Sequence, residues 1–410
     1  MNTAANFYFN SDNARVRSAI RRLTLVNFRN YRYLRLNLDK PFIVLSGENG
    51  SGKTNVLEAV SFLSQGRGLR SAKLSEIKTF DFLANTQDAP VFINNNGWAV
   101  SAQLDSFGEE FTIGTAVESS LKEIAYNETK EVERRIVHVN NQKLSSQNDL
   151  GNFLSIIWVM PQMDRIVQGG SQNRRSFLDR IVYAFDVEHA KRLSTFDNLY
   201  RQWLQILKSG TLNNIWLDTL EEQIAGIGVA IAAARREQVI RLNTFIETNP
   251  DDTFPDALLE LDGTIEKMVA EKPAVYVEDF YRESLFNQRR SILYNDAGAG
   301  INKTDLKAVY KKKNVPANLC STGEQKSLLL NIILAQAKSL IASKNIYPIL
   351  LLDEITAHLD EVKRDAFFAK IRNLNVQSWL TSTTMFDFTG IKNDTQFFEV
   401  KDNTITPIAF

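Results

Sequence analysis

Residues 47–54 read Gly47-Glu48-Asn49-Gly50-Ser51-Gly52-Lys53-Thr54 and fit G-x-x-x-x-G-K-[ST] throughout. That spacing suits a polyphosphate. The glycines let the backbone curl so that successive N–H groups face phosphate oxygens. A helix starting there adds the positive end of its dipole. Lys53 then reaches the β- and γ-phosphates, and Thr54 holds Mg²⁺. Far downstream, the apolar run Ile349-Leu350-Leu351-Leu352 ends in Asp353-Glu354. Asp353 suits the Mg²⁺ shell, and Glu354 suits a base that orients an attacking water. A strand end with two solvated acids would look the same in isolation; the phosphate loop upstream gives the pair its meaning. Between them, Ser321-Thr322-Gly323-Glu324-Gln325 opens a helix. A hydroxyl, a flexible glycine and a helix N-terminus facing one way suit an anion, and the same residues suit an ordinary N-cap.

These groups act together only if folded elements bring them together. Residues 42–45 are a short apolar run ending near Gly47, which predicts a buried strand before the loop. Across 53–63, Val56, Ala59, Val60 and Leu63 recur at helical spacing. Alternation over 22–38 (Leu23, Leu25, then Leu34, Leu36, Leu38) predicts strand, turn and strand. From 91 to 144 the period is again two: Val100, Ala102, Leu104, then Phe111, Ile113, then 136–139. Asn140-Asn141 marks a turn, and the whole predicts an antiparallel lobe. Residues 174–286 are mostly helical in pattern, with Trp216, Leu220, Ile224, Ile227 and Ile231 on one stripe and breaks at Pro250 and Pro255. Residues 1–19 read as a loose tail, 298–300 and 311–313 as loop, 324–343 as helix and 349–352 as strand. The implied organisation is an α/β half over 20–170, an inserted mainly α-helical domain over 171–300, and the remaining α/β half over 301–410. Strands alternating with helices favour a parallel sheet.

The 410 residues are 44% apolar and 23% charged, which suits a globular chain with a sizeable core. Lys plus Arg and Asp plus Glu number 48 each, so nucleic acid would bind through local patches on a neutral body. The single Cys320 allows no internal disulfide and suits a small buried residue rather than a nucleophile. His138, His189 and His358 lie apart without cysteine companions, which disfavours zinc. No apolar run approaches the roughly 20 residues of a membrane span. The polar first twenty residues, with Arg15 and Arg17, lack the apolar centre of a secretion signal. A cytoplasmic location is expected, with no membrane partner.

The 321–325 stretch, one helix before Asp353-Glu354, resembles the signature motif of ABC ATPases, which in that class touches the γ-phosphate held by a partner subunit. Several stretches together resemble the RecF family within it. They are Asn27-Phe28-Arg29-Asn30-Tyr31, Gly66-Arg67-Gly68-Leu69-Arg70-Ser71, Met160-Pro161-Gln162-Met163-Asp164-Arg165 with residues 174–180, then 321–326 and 352–360. The resemblance runs from about residue 20 to the C-terminus. It implies an ABC-type ATPase head with a mixed sheet and an antiparallel β lobe. It implies ATP and Mg²⁺, with Arg29, Asn30, Gln162 and Asp360 joining residues 47–54 at the nucleotide. Gln162 also reads as a plain surface residue. Each subunit would hold nucleotide with Lys53, Thr54 and Asp353, and its twin would close it with Ser321 and Gly323. This ATP-dependent homodimer would clamp DNA, duplex or at a single-strand/double-strand junction, and release it on slow, DNA-stimulated hydrolysis at Glu354. The implied setting is recombinational repair and replication-fork maintenance after DNA damage, in the SOS response, with RecR as partner.

Two places depart from the pattern. RecF proteins usually carry Gly-Pro-His-Arg before the signature; here residues 300–305 read Gly300-Ile301-Asn302-Lys303-Thr304-Asp305. The switch histidine of transporter-type ABC proteins is absent from Leu380-Thr381-Ser382-Thr383-Thr384, which argues against a transporter motor. An SMC-type ATPase needs a long heptad arm, and the nuclease-fused overcoming-lysogenisation type needs an acidic cluster that Asp387 and Asp394 are too isolated to supply. Candidate phosphate contacts are Arg67, Arg70, Arg289, Arg290 and Lys311-Lys312-Lys313, although such clusters also serve as solvated faces. No recognition-helix motif is present, so backbone binding without sequence preference is expected.

Overall fold

The computed structural model describes residues 16–78, 97–125, 128–163, 169–209, 214–250, 253–291, 300–357 and 359–410. The chain opens with a hairpin, β1 (Ser18–Phe28) and β2 (Tyr31–Asn37), then β3 (Phe42–Ser46), the 47–52 loop and α1 (Lys53–Ser61). Strand β1 starts where a loose tail was expected; Ala19 and Ile20 are buried there, and the Gln377 side chain accepts from the Ile20 N–H at 2.9 Å. Strands β4 (Ala99–Ser106), β5 (Glu109–Ala125), β6 (Glu128–Val139) and β7 (Gln142–Lys143) follow. With β1 and β2 they form an antiparallel sheet in the order β2-β1-β4-β5-β6-β7. The turn at Asn140-Asn141 has both residues at positive φ, 47° and 65°, the backbone that a two-residue hairpin requires.

The central sheet is assembled from distant pieces. It uses β8 (Ile156–Val159), and then the chain leaves through α2 (Ser171–Tyr183), α3 (His189–Ser209), α4 (Asn214–Thr248), β9 (Ala257–Asp262), α5 (Thr264–Glu271) and α6 (Ala274–Ser291). It returns through β10 (Asp305–Tyr310), β11 (Val315–Pro316), α7 (Thr322–Lys344), β12 (Ile349–Leu352), α8 (Glu361–Leu374), β13 (Ser378–Ser382), β14 (Thr395–Lys401) and β15 (Thr404–Ile408). The sheet order is β15-β14-β3-β13-β12-β8. All neighbours are parallel except the β14–β15 edge pair. Strands β3, β12 and β13 are buried at every residue, and β3 and β12 accordingly read as near-continuous apolar runs rather than alternations. Helix α7 is buried around most of its circumference from Gln325 to Ala337, so its apolar residues show no single stripe.

The helical region has its own core around Phe196, Trp203, Leu220, Ile224, Ile231 and Tyr281. The stripe on α4 runs one residue off the expected start: Leu217 is buried and Trp216 is 53% exposed, because the burial repeat steps through 217, 220, 224, 228 and 231. Strand β9 lies in a segment that patterned as helix, and β10 in a stretch, 305–310, that carried no assignment. Strand β9 follows Pro255, and β10 pairs with it antiparallel, forming with β11 a third sheet, β11-β10-β9. Strand β9 lies within 171–300 and β10 within 301–410, so this sheet joins segments on either side of the expected boundary. Among the described residues, no helix is long and apolar enough to cross a membrane.

Candidate functional site: a phosphate loop facing two carboxylates

Strand order places the site. Strand β13 lies between β3 and β12, with Ser46 level with Ser382 and Leu352 level with Leu380. The carboxyl ends of three strands therefore coincide, which is where open parallel sheets bind ligands. From β3 comes the 47–54 loop, from β12 come Asp353 and Glu354, and from β13 comes Thr381.

The loop has the shape its glycines predict. Gly52 sits at φ 108° as the N-cap of α1, and a Cβ there would lie 2.3 Å from Asn30 Nδ2 and 2.8 Å from Tyr31 Oη. A Cβ on Gly47 would lie 2.3 Å from the Val400 carbonyl oxygen. Lys53 is 4% exposed, and its Nζ donates to the carbonyls of Gly47 and Glu48 at 2.7 and 2.8 Å. Burial pulls the Lys53 ammonium below its ordinary value, against the opposing charges of Glu354 and Asp353. The loop has thus closed around its own lysine. Ser51 Oγ is buried without a hydrogen-bond partner, and Glu48, Asn49 and Gly50 are exposed.

Thr54 Oγ1 donates to both oxygens of Asp353 at 3.0 Å. Residues chosen 299 positions apart are therefore in direct contact. Asp353 is 5% exposed and takes a third hydrogen bond from Thr381 Oγ1 at 2.6 Å. Glu354 adopts φ 49°, a left-handed backbone that costs a non-glycine residue on the order of 1 kcal/mol. Its N–H donates to Thr381 Oγ1 at 2.9 Å, and its carbonyl accepts from Lys326 Nζ at 3.3 Å. Lys326 also donates to the Ala357 carbonyl, so α7 is tied to the turn that carries Glu354. Thr381 and Lys326 were not singled out as site residues. The only signal for Thr381 was its place at the end of the strand where a switch histidine was sought.

The β1–β2 turn braces the loop. Asn30 Nδ2 donates to the Ser51 carbonyl at 3.4 Å and to Asn403 at 2.8 Å, its Oδ1 accepts from Asn55 at 2.7 Å, and Tyr31 Oη donates to the Gly52 carbonyl at 3.2 Å. Arg29 is held elsewhere. It makes a two-point ion pair with the buried Glu58 of α1, at 2.9 and 2.7 Å, and donates to the Glu76 carbonyl. Arg70 joins on Glu58 at 2.9 Å. The side chain of Gln162 lies outside the described residues.

Ser321 is the N-cap of α7, in a capping box with Glu324. The Glu324 carboxyl is held down at about 2 by Lys313, then by the Ser321 N–H and hydroxyl. Ser321 and Thr322 are exposed, and a Cβ on Gly323 would meet nothing within 4 Å. Among the described residues, no hydrogen bond or ion pair joins 321–323 to the chain's own 47–54 loop. Asp360 caps α8, accepting from the Lys363 N–H at 2.8 Å, and this N–H holds its carboxyl low. Cys320 is half-buried, not enclosed as expected, because it sits on the surface turn before α7; burial still pushes its thiol up.

The residues fit ATP and Mg²⁺. A glycine-lined cradle that a Cβ would obstruct, a buried lysine and an unpartnered serine hydroxyl suit phosphate oxygens. Thr54 and Asp353 supply only two oxygen ligands, which suits an ion that keeps waters and takes the rest from phosphates. Among the described residues, no group of three or more His, Cys, Asp or Glu is placed to hold a metal ion.

Most of the expected DNA contacts are committed elsewhere. Arg289 pairs with Glu221 and Asp218, Lys311 with Glu247, and Lys313 with Glu324. Arg70 is on Glu58, and the Arg290 side chain lies outside the described residues. A cleft of about 870 Å³ between 67–75 and β6–β7 instead gathers Arg67, Lys73, Arg134, Arg135 and Lys143 against one acid, Glu133.

Sheet order, phosphate loop and signature helix together define an ABC-type ATPase head. The sequence model of the family described as RecF/RecN/SMC N terminal domain matches residues 19–406. The DNA replication and repair protein RecF of Agrobacterium fabrum (strain C58) is 39% identical over 394 residues, 95% of this chain and 98% of that one. That of Brucella abortus (strain 2308) is 39% identical over 397 residues, 96% and 97% of the two chains. The solved structure of the recombination mediator protein RecF-ATPrS in the RecFOR pathway superposes with a TM-score of 0.77, at 20% identity, over 96% of this chain and 99% of that one. The corresponding RecF-ATP structure gives 0.73, also at 20% identity, over 96% of this chain and 100% of that one. The chain belongs to the RecF family of DNA replication and repair proteins.

Proposed function

We propose that this protein is an ATP-gated DNA-binding ATPase of recombinational repair and replication-fork maintenance, completed when two copies pair. The observation that carries the reading is the Thr54–Asp353 contact at 3.0 Å, with Glu354 next in the chain, Ser321 exposed, and, among the described residues, no hydrogen bond from 321–323 to the chain's own loop. The 47–54 amides and Lys53 hold the phosphates; Thr54 and Asp353 hold Mg²⁺, which neutralises charge on the phosphoryl oxygens. Glu354 orients the attacking water and takes its proton. Ser321, Gly323 and the N-terminus of α7 close the nucleotide held by the partner copy. Asn30 and Tyr31 keep the loop in shape, and Asp360 serves as the cap of α8. The relatives' roles in DNA repair and the RecFOR pathway support DNA and RecR as partners, and the basic cleft supports sequence-independent contact with phosphates. The domain limits proposed are 20–170, 171–300 and 301–410, with the β9–β10 pairing spanning the last boundary. Slow turnover belongs to the same reading, supported by the absence of a histidine at 380–384, where transporter-type ABC proteins carry their switch residue.

Sizing of Lys53→Arg and Glu354→Gln with ATP tests the reading. Glu354→Gln is expected to stay trapped as a dimer, and Lys53→Arg to bind ATP without turning it over. Unchanged assembly and turnover in both variants would remove both roles. Equal DNA retention with and without ATP, at several salt concentrations, would remove the gating.

A further inference from the structure

We infer that Thr381 is the positioning residue that sets both site carboxylates at once, through a single hydroxyl. This rests on the reading of Asp353 as metal ligand and Glu354 as base. Thr381 is fully buried on β13, the strand between the one that delivers the phosphate loop and the one that delivers the acids. Its Oγ1 has one hydrogen. The Glu354 N–H points at that oxygen from 2.9 Å and requires an acceptor. The hydrogen therefore goes to Asp353 Oδ1, 2.6 Å away. The direction of the bond is fixed, and one hydroxyl both orients the Asp353 carboxylate and anchors the backbone of Glu354.

The anchor matters because Glu354 sits at φ 49°, a backbone that persists only where surroundings impose it. Three contacts hold it here: Thr381 on the N–H, then Lys326 Nζ and the Ala357 N–H on the carbonyl. Lys326 comes from the helix that begins at Ser321, so the second anchor links the signature helix to the base. Thr54 also donates to both oxygens of Asp353. Asp353 is thus oriented between two threonines, one on the phosphate-loop helix and one on β13. Loss of the Thr381 hydroxyl removes one of the two side-chain donors to Asp353 and leaves the Glu354 N–H without its acceptor.

The test compares Thr381→Val, which keeps the shape and loses the hydroxyl, with Thr381→Ser, which keeps the hydroxyl. Turnover is measured as kcat and KM. ATP affinity is measured by equilibrium titration in Mg²⁺ and in EDTA, a readout independent of turnover. Thr381→Val is expected to lower kcat by roughly tenfold to a hundredfold and to shrink the Mg²⁺-dependent gain in ATP affinity, as loss of a ligand-orienting partner does. Affinity in EDTA should stay at the wild-type value, and Thr381→Ser should restore kcat and the Mg²⁺ gain. Wild-type kcat and Mg²⁺ gain in Thr381→Val, or equal damage in the serine and valine variants, overturns the inference. If the valine chain does not fold, Thr381→Ser and Thr381→Ala read the same hydroxyl, and equal kcat in those two overturns it. Asp353→Asn and Glu354→Gln run alongside. If they too behave as wild type, the reading of the site has failed; if they fail while Thr381→Val is normal, only the role of Thr381 has.

Discussion

Arg135 Nη1 donates to the Gly66 carbonyl at 2.6 Å, joining the antiparallel lobe to the end of the phosphate-loop helix. The same guanidinium donates to the carbonyls of Phe62 and Ser64 and to Thr115 Oγ1, and it lies 5.1 Å from the centre of the Phe62 ring. A cation at a helix C-terminus meets the negative end of the dipole. Burial lowers this guanidinium to about 10, so it stays charged at neutral pH. Arg135→Ala leaves several carbonyls at that helix end without a donor, and a stability loss of about 3 kcal/mol is expected. Arg135→Lys should recover only part of it, since an ammonium cannot fork across separate acceptors. Denaturant midpoints read both, and a wild-type midpoint for the alanine variant would refute the capping role.

Gly52 is the loop position with least tolerance. An alanine there meets Asn30 and Tyr31 and must hold φ 108°, outside the regions open to residues with a Cβ. Gly52→Ala should weaken ATP binding by roughly tenfold to a hundredfold, the equivalent of 1–3 kcal/mol of strain. Adding Asn30→Ala should not restore it, because the backbone strain remains. Recovery in that double variant, seen by nucleotide titration, would mean that the side-chain clash alone matters.

Much of this was legible in the sequence, and the limits have physical causes. The phosphate loop and the Asp353-Glu354 strand end were readable because their chemistry fixes residue types at fixed spacing, and the strand–loop–helix around 42–61 follows from local apolar patterning. Strand order was not readable: nothing local says that β13 inserts between β3 and β12, so the third partner of the site, Thr381, had no sequence signal beyond its strand end. Strands β9 and β10 are six residues each and their pairing is non-local, so β9 was absorbed into the helical pattern around it and β10 drew no assignment. Arg29 was expected at the nucleotide and Arg70 on DNA phosphate because the acid that holds both, Glu58, lies on the buried side of α1, where local sequence does not place it.

The Asp179–Arg235 pair predicts how the helical region responds to acid. Asp179 accepts from Arg235 at 2.8 and 2.9 Å and from His189 Nε2 at 2.9 Å. Arg235 also reaches Glu266, the Ile301 carbonyl and Thr304, so the atypical 300–305 segment is pinned to α4. Burial pushes the Asp179 carboxyl up, but the His189 hydrogen bond and the Arg235 charge outweigh it and leave it below its ordinary value. A carboxyl held down in the fold stabilises fully above its unfolded value of about 3.9, and this stability is lost as pH falls below that toward the folded value. Asp179→Asn should cost about 3 kcal/mol at neutral pH, since it removes the carboxylate that pairs at two points with a buried cation and leaves only Glu266 to offset it, and should flatten the acid limb of the stability curve. An acid limb as steep as that of wild type in the variant would assign the acid response to other carboxyls.

The basic cleft gives the sharpest test of where DNA lies. Arg67, Lys73 and Arg134 line it, and each is exposed. Among the described residues, no hydrogen bond or ion pair engages their side-chain charges. Each phosphate neutralised releases counterions and contributes about 0.9 to the slope of log affinity against log salt. Changing all three to alanine should therefore weaken ATP-dependent duplex retention uniformly across sequences and flatten that slope by about 2–3. Arg289 provides the contrast. Its charge is held by Glu221 and Asp218, and Glu221 is 1% exposed. Removing Arg289 strands a buried carboxylate, so Arg289→Ala should lower the melting temperature and leave the salt slope alone. The two variants thus separate a surface that meets phosphate from one that holds the fold. If the slope falls with Arg289→Ala and stays at the wild-type value in the triple variant, the DNA path runs over the helical region and not through the cleft.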